Sequence, residues 1–226
     1  MIKNRVGDIV MLYTALGDSI TYGENASSLA KAYPQLAVAA LNSRSRSRRA
    51  AGYVLARPGW TSHDLLNAVI WKGSAAISKS DVVSVWIGGV DLANAALSSI
   101  KNQQQIAIKP ILTPYRQNLR AILAHIKSVS DARIICCTQY NPFPNSSLAA
   151  AAIDQLNYTT IEVAQSYHAQ IAPAHRWFEG KQASLIYGYR NGRLEDALSG
   201  TLPIHPNDRG HQVIANGLIP YLASRN

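Results

Sequence analysis

The segment Val82–Ile87 is rich in β-branched residues and unbroken by charge. A run of this kind reads as a strand covered on both faces, the situation of a parallel sheet with helices on either side. The rest of the chain agrees with that frame. Met11–Leu16, Tyr53–Ala56 and Arg133–Thr138 read as further short strands, and helix-length stretches lie between them. Helices are expected over Ser28–Leu41, Thr61–Trp71, Tyr115–Val129, Ser147–His168 and Pro206–Leu222. Thr61 or Ser62 is a natural N-cap for the second, since a short hydroxyl side chain satisfies an orphan N–H of the first turn. Strand–helix alternation of this sort predicts a three-layer α/β fold with a mainly parallel sheet. No repeat or low-complexity linker divides the 226 residues, so residues 1–226 read as a single domain. Asn141–Asn145 reads as a loop, and Gly188–Pro203 as a polar surface excursion before the last helix.

Composition narrows the class. An apolar content of 47% against 15% charge is that of a globular chain, not a disordered one. The longest apolar stretches fall well short of the ~18 residues that a membrane-spanning helix needs. Ile9–Leu16 follows Lys3 and Arg5 and has the look of a short signal core. Gly7 and Asp8 interrupt it, however, and no small-residue cleavage site follows, so a buried first strand in an unprocessed, cytoplasmic protein is expected. The two cysteines, Cys136 and Cys137, are adjacent and would point to opposite faces of a strand, which excludes a disulfide framework. A reducing compartment fits that usage.

Ligands of parallel α/β sheets bind at the carboxyl ends of the strands. The first strand exits into Gly17-Asp18-Ser19-Ile20-Thr21-Tyr22-Gly23, the second into Arg57-Pro58-Gly59-Trp60-Thr61, and the third into Gly88-Gly89-Val90-Asp91-Leu92. The last helix is entered through Ile204-His205-Pro206-Asn207-Asp208. A serine in the first loop and a histidine in the last supply a nucleophile and a base on one rim. A serine hydroxyl becomes an effective nucleophile when an imidazole can take its proton. The resulting oxyanion needs donors fixed in advance, for which the backbone N–H groups of Ser19 and Gly59 are candidates.

Gly-Asp-Ser near the start, a glycine after the second strand, Gly-Gly-x-Asp after the third and the late His-Pro-Asn-Asp-x-Gly-His together resemble the SGNH (GDSL-type) hydrolases. The opening Tyr13–Gly23 segment and Gly59-Trp-Thr-Ser are most similar to the branch that includes bacterial spore-germination lipases, which makes a spore-associated protein an option. The resemblance implies a flavodoxin-like α/β/α sandwich and metal-free ester hydrolysis of small or lipid-like acyl esters without a cofactor. It makes Ser19 the nucleophile and His205 the general base. Two positions depart from the family pattern. The asparagine that supplies a third oxyanion donor is Val90 here, and the aspartate three residues before the histidine is Leu202. One missing oxyanion donor costs ~10²–10³ in turnover and a missing triad carboxylate up to ~10⁴. An attenuated enzyme is therefore expected unless something compensates. A backbone carbonyl near Leu202, Glu195 or Asp196 are candidates to orient His205, and Asn94 is the candidate third donor. The alternative is an inactive relative that binds a ligand or partner through the old cleft.

Other residues have plainer readings. Asp18 is expected to bond loop backbone, and Asp91 to organise the third loop. His205 and His211 are six residues apart, and His63, His125, His168 and His175 are scattered, so no metal site is expected. Trp60, Trp71, Trp86 and Trp177 are expected in the core or lining a pocket, with Trp60 at the rim. The chain carries a net charge of +9, and Arg44, Arg46, Arg48 and Arg49 form its sharpest basic cluster. It reads as a solvated loop, or as a contact for an anionic surface such as lipid headgroups. No nucleic-acid or nucleotide-binding motif accompanies it.

Overall fold

The computed structural model describes residues 9–44, 48–94, 107–198 and 202–224. A five-stranded, all-parallel sheet runs in the order β2-β1-β3-β4-β5. The strands are β1 (Ile9–Gly17), β2 (Arg48–Ala56), β3 (Val82–Trp86), β4 (Arg133–Cys137) and β5 (Gln170–Ala172). The principal helices are α1 (Ser19–Tyr22), α2 (Tyr33–Arg44), α3 (Ser62–Ala68), α4 (Ser74–Ile77), α5 (Ile108–Val129), α6 (Ser147–Ser166), α7 (Ala174–Phe178), α8 (Gln182–Leu185) and α9 (Asp208–Ala223). None of them is long and apolar enough to cross a membrane, as far as the described residues go.

The alternation of side chains along each strand divides the core in two. Leu16, Val83, Val85 and Cys136 face one layer with Leu65 of α3, Leu119, Ile122 and Leu123 of α5, and Leu156 and Val163 of α6. Tyr13, Ala15, Val82, Trp86, Ile135 and Cys137 face the other with Tyr33 and Ala37 of α2 and Ile214, Leu218 and Leu222 of α9. The adjacent cysteines thus fall into opposite layers, buried and unbonded. This is the three-layer α/β/α architecture expected from the sequence, with the order in which ligand sites form at the carboxyl edge between β1 and β3.

Several elements differ from the sequence expectation. β2 is nine residues long and begins at Arg48, so Arg44 ends α2 and Arg48 and Arg49 belong to a strand, where a loop was expected. Arg46 lies outside the described residues. The short β5 has a polar, half-exposed start and no apolar pattern of its own; its partner β4 defines it. The helix expected over Thr61–Trp71 is α3 followed by a π-helical turn at Val69–Gly73, which rotates Trp71 outward to 80% exposure instead of into the core.

Candidate active site

β1 ends in a close-packed turn. A Cβ at Gly17 would stand 2.5 Å from the Trp86 carbonyl oxygen, so β1 and β3 approach here as only glycine permits. Asp18 then caps α1, its carboxylate accepting the Ile20 N–H at 3.0 Å, and Ser19 is the first helical residue. Burial pushes the Asp18 carboxyl up to about 7, against the lowering effect of the Ile20 bond. The carboxylate thus serves the turn's backbone.

From the far end of the chain, His205 is held by main-chain bonds. Tyr187 N–H donates to the His205 carbonyl at 2.9 Å, and Asn207 N–H to the Leu185 carbonyl at 2.9 Å. The Tyr140 hydroxyl donates to the Ile204 carbonyl. The result is a 2.9 Å hydrogen bond between His205 Nε2 and Ser19 Oγ across 186 positions of sequence. Burial lowers the imidazole's pKa from its ordinary value, while the negative charge of Glu24 pulls the other way. A neutral ring with a bare Nε2 is what a general base requires.

The other candidates lie in the loops that follow β2 and β3. Gly59 sits in a tight turn closed by the Trp60 N–H to the Arg57 carbonyl at 3.3 Å, and its φ of 79° is a value for which glycine is suited. Neither its N–H nor that of Ser19 is engaged in a hydrogen bond among the described residues. Asp91 accepts from Ser62 N–H at 2.9 Å and from Ser62 Oγ at 2.6 Å, tying the loop after β3 to the start of α3. Trp60 is partly buried and packs on the core beneath this rim.

Among the described residues the expected compensations are not formed. Asp196 accepts from the N–H groups of Asn191 and Arg193, at 2.8 and 3.2 Å, and so stabilises its own loop rather than His205. Glu195 is exposed. The Leu202 carbonyl takes the Ile204 N–H at 2.9 Å, and no hydrogen bond to His205 Nδ1 forms among the described residues. Asn94, within a helical stretch described from residue 89 onward, is exposed and does not line the cleft, because the helix carries it away from the rim one turn past Val90.

Beside Ser19 and His205 opens a cavity of about 120 Å³. Its walls come from the loop after β3 (Val90, Leu92), the loop after β4 (Phe143) and α6 (Leu148, Ile153). Two groups that the sequence reading passed over belong to this surrounding. One is Glu24, whose carbonyl accepts from His211 Nε2 at 3.2 Å and whose charge acts on His205. The other is Gln139, two residues past the end of β4 and 7% exposed. Following every strand's exit, β4 included, would have found Gln139; nothing local in the sequence marks Glu24. Among the described residues no three His, Cys, Asp or Glu side chains group as metal ligands.

Residues 15–213 match the profile of the GDSL-like lipase/acylhydrolase family. Among solved structures, the lipase Lip_vut3 from a goat rumen metagenome superposes with a TM-score of 0.79 at 19% identity, over 94% of this chain and 97% of that one. The acetylxylan esterase Axe2 of Geobacillus stearothermophilus gives 0.73 at 19% identity, over 97% and 98%. LAE5, an alpha/beta hydrolase from the metagenome of Lake Arreo, gives 0.71 at 21% identity, over 96% of each chain. No curated protein sequence matches this one.

Proposed function

Because the chain belongs to the GDSL-like lipase/acylhydrolase family, we propose that it hydrolyses carboxylic esters through Ser19 and His205, with a short aliphatic acyl group seated in the cavity. The observation that carries this reading is the 2.9 Å contact between Ser19 Oγ and His205 Nε2 at the mouth of an apolar cavity. Ser19 Oγ attacks the ester carbonyl as its proton passes to His205 Nε2. The oxyanion is held by the Ser19 and Gly59 N–H groups. Collapse of the tetrahedral intermediate breaks the acyl–alkoxy bond, and His205 returns the proton to the departing alcohol. Water, deprotonated by the same imidazole, then releases the acid and restores the serine. With no acceptor at Nδ1 among the described residues, the catalytic unit is a Ser–His dyad.

The acyl preference follows from the cavity. An engineered apolar cavity of ~150 Å³ accommodates benzene. On that scale, about 120 Å³ takes a tail of roughly four carbons. Esters of p-nitrophenol with acetate, butyrate and octanoate test this directly. Turnover should rise from acetate to butyrate and gain nothing further at octanoate. Ser19→Ala and His205→Ala should abolish turnover and fluorophosphonate labelling of Ser19 while leaving the thermal melt intact. Turnover that survives both substitutions would refute the reading. Absence of Ser19-dependent turnover in the unaltered protein would leave a binding function for the cleft.

A further inference from the structure

The loop after β3 carries Val90 where the family pattern has an asparagine, and Val90 offers no donor. The neighbouring strand supplies an amide. Gln139 lines the same cavity as Ser19, Val90 and His205, and it is 7% exposed. Its main chain is gripped from both sides by the buried Asn157. Gln139 N–H donates to Asn157 Oδ1 at 2.6 Å, and Asn157 Nδ2 donates to the Gln139 carbonyl at 2.8 Å.

The orientation of the Gln139 carboxamide is set by chemistry. The indole Nε1–H of Trp86 is 2.7 Å from Oε1 and can only donate, so the oxygen must face the tryptophan. The amide NH₂ is therefore the opposite end of the group, and it is the end nearer Gly89: a Cβ there would stand 3.4 Å from Nε2 and 3.7 Å from Oε1. Nε2 makes no hydrogen bond among the described residues, yet it is not sealed in: the one buried side-chain polar atom without a partner among them is His211 Nδ1. The anchored residue that carries this unpaired donor thus lines the cavity beside the nucleophile.

We propose that Gln139 Nε2 is the third oxyanion donor of this site, taking over from the loop after β4 the role that Val90 cannot fill. The inference rests on the Ser19 hydrolase reading. Its physical basis is preorganisation, because the Trp86 bond and the Asn157 clamp fix the donor before any substrate arrives.

Gln139→Glu is the main test. It keeps the shape and an acceptor for Trp86, removes the donor and places an anion where negative charge develops. A loss of about 10²–10³ in kcat is expected on p-nitrophenyl butyrate, with KM nearly unchanged, since the interaction belongs to the transition state. A kcat within about threefold of the unaltered protein, or a loss confined to KM, would overturn the assignment. Should Gln139→Glu fail to fold, as a melt would show, Gln139→Met, which keeps the length of the side chain without a donor or a charge, takes its place. A loss of more than about threefold in kcat with KM nearly unchanged is expected, and a smaller loss would overturn the assignment. These outcomes presuppose Ser19-dependent turnover in the unaltered protein; its absence would defeat the hydrolase reading itself, whereas an active protein indifferent to Gln139→Glu would defeat this assignment alone.

Discussion

Asp91 joins two of the loops that form the rim, and its removal has a calculable cost. Its carboxylate takes the Ser62 N–H at 2.9 Å and the Ser62 hydroxyl at 2.6 Å, and Asn118 Nδ2 donates in turn to Ser62 Oγ at 3.0 Å. Ser62 is fully buried, so in Asp91→Ala both of its donors lose their acceptor with no access to water. Hydrogen bonds to charged groups contribute about 1.5–3 kcal/mol each. Asp91 itself is only half-buried, which argues for the lower end and gives about 3 kcal/mol for the pair. For a chain of this length each kcal/mol shifts Tm by about 2–4 °C, so a drop of about 6–12 °C is expected. Asp91→Asn keeps one acceptor oxygen and should lose about half as much. Thermal denaturation followed by circular dichroism, with Asn118→Ala as a milder member of the network, measures the series. Asp91→Ala melting within about 2 °C of the unaltered protein would refute the account, because orphaned buried donors cannot be that cheap.

Two further predictions concern protons. His205 must be neutral to act as base, and its burial lowers its pKa, so the acid limb of kcat/KM against pH should have its midpoint below 6.5. Glu24→Gln, which removes the opposing negative charge, should move that limb to still lower pH; a midpoint above 6.5, or a limb that moves up, would contradict this. Asp18 has a folded-state pKa of about 7 against 3.8 for the free side chain, so the folded protein binds this proton more tightly than the unfolded one. Its contribution to stability is full below about pH 4 and is lost as pH rises toward about 7. Asp18→Asn retains the bond to Ile20 N–H without the titration. Its stability relative to the unaltered protein should therefore increase across that interval in urea unfolding, and a flat difference would show that the carboxyl is not desolvated.

The local sequence was sufficient for much of the fold. Val82–Ile87 announces a doubly covered strand because six consecutive residues carry no charge, and Cys136 and Cys137 divide between layers because strand side chains alternate. β5 had no such signal, since three residues with a polar start acquire strand geometry only from the ladder that β4 offers. The π-helical turn at Val69–Gly73 and the exposure of Trp71 were equally invisible, because the helical periodicity that precedes them continues without a break.

For the site, sequence alone determined the parts whose identity is chemical. Ser19 and His205 are the nucleophile and base types at two chain ends of a β–α alternation, and Gly59 is the residue that a positive φ favours. The tertiary structure decided everything that depends on which way a polar group turns. Asp196 stands nine residues before His205 and is a candidate by proximity in sequence, yet its carboxylate is drawn to the backbone N–H groups of Asn191 and Arg193. Gln139 is an unremarkable glutamine in the sequence. It becomes a directed donor because Trp86, 53 residues earlier, can only donate and so fixes the oxygen end of the amide. A hydrogen bond has a direction, and that direction is set by partners distant in sequence that only the folded chain brings together.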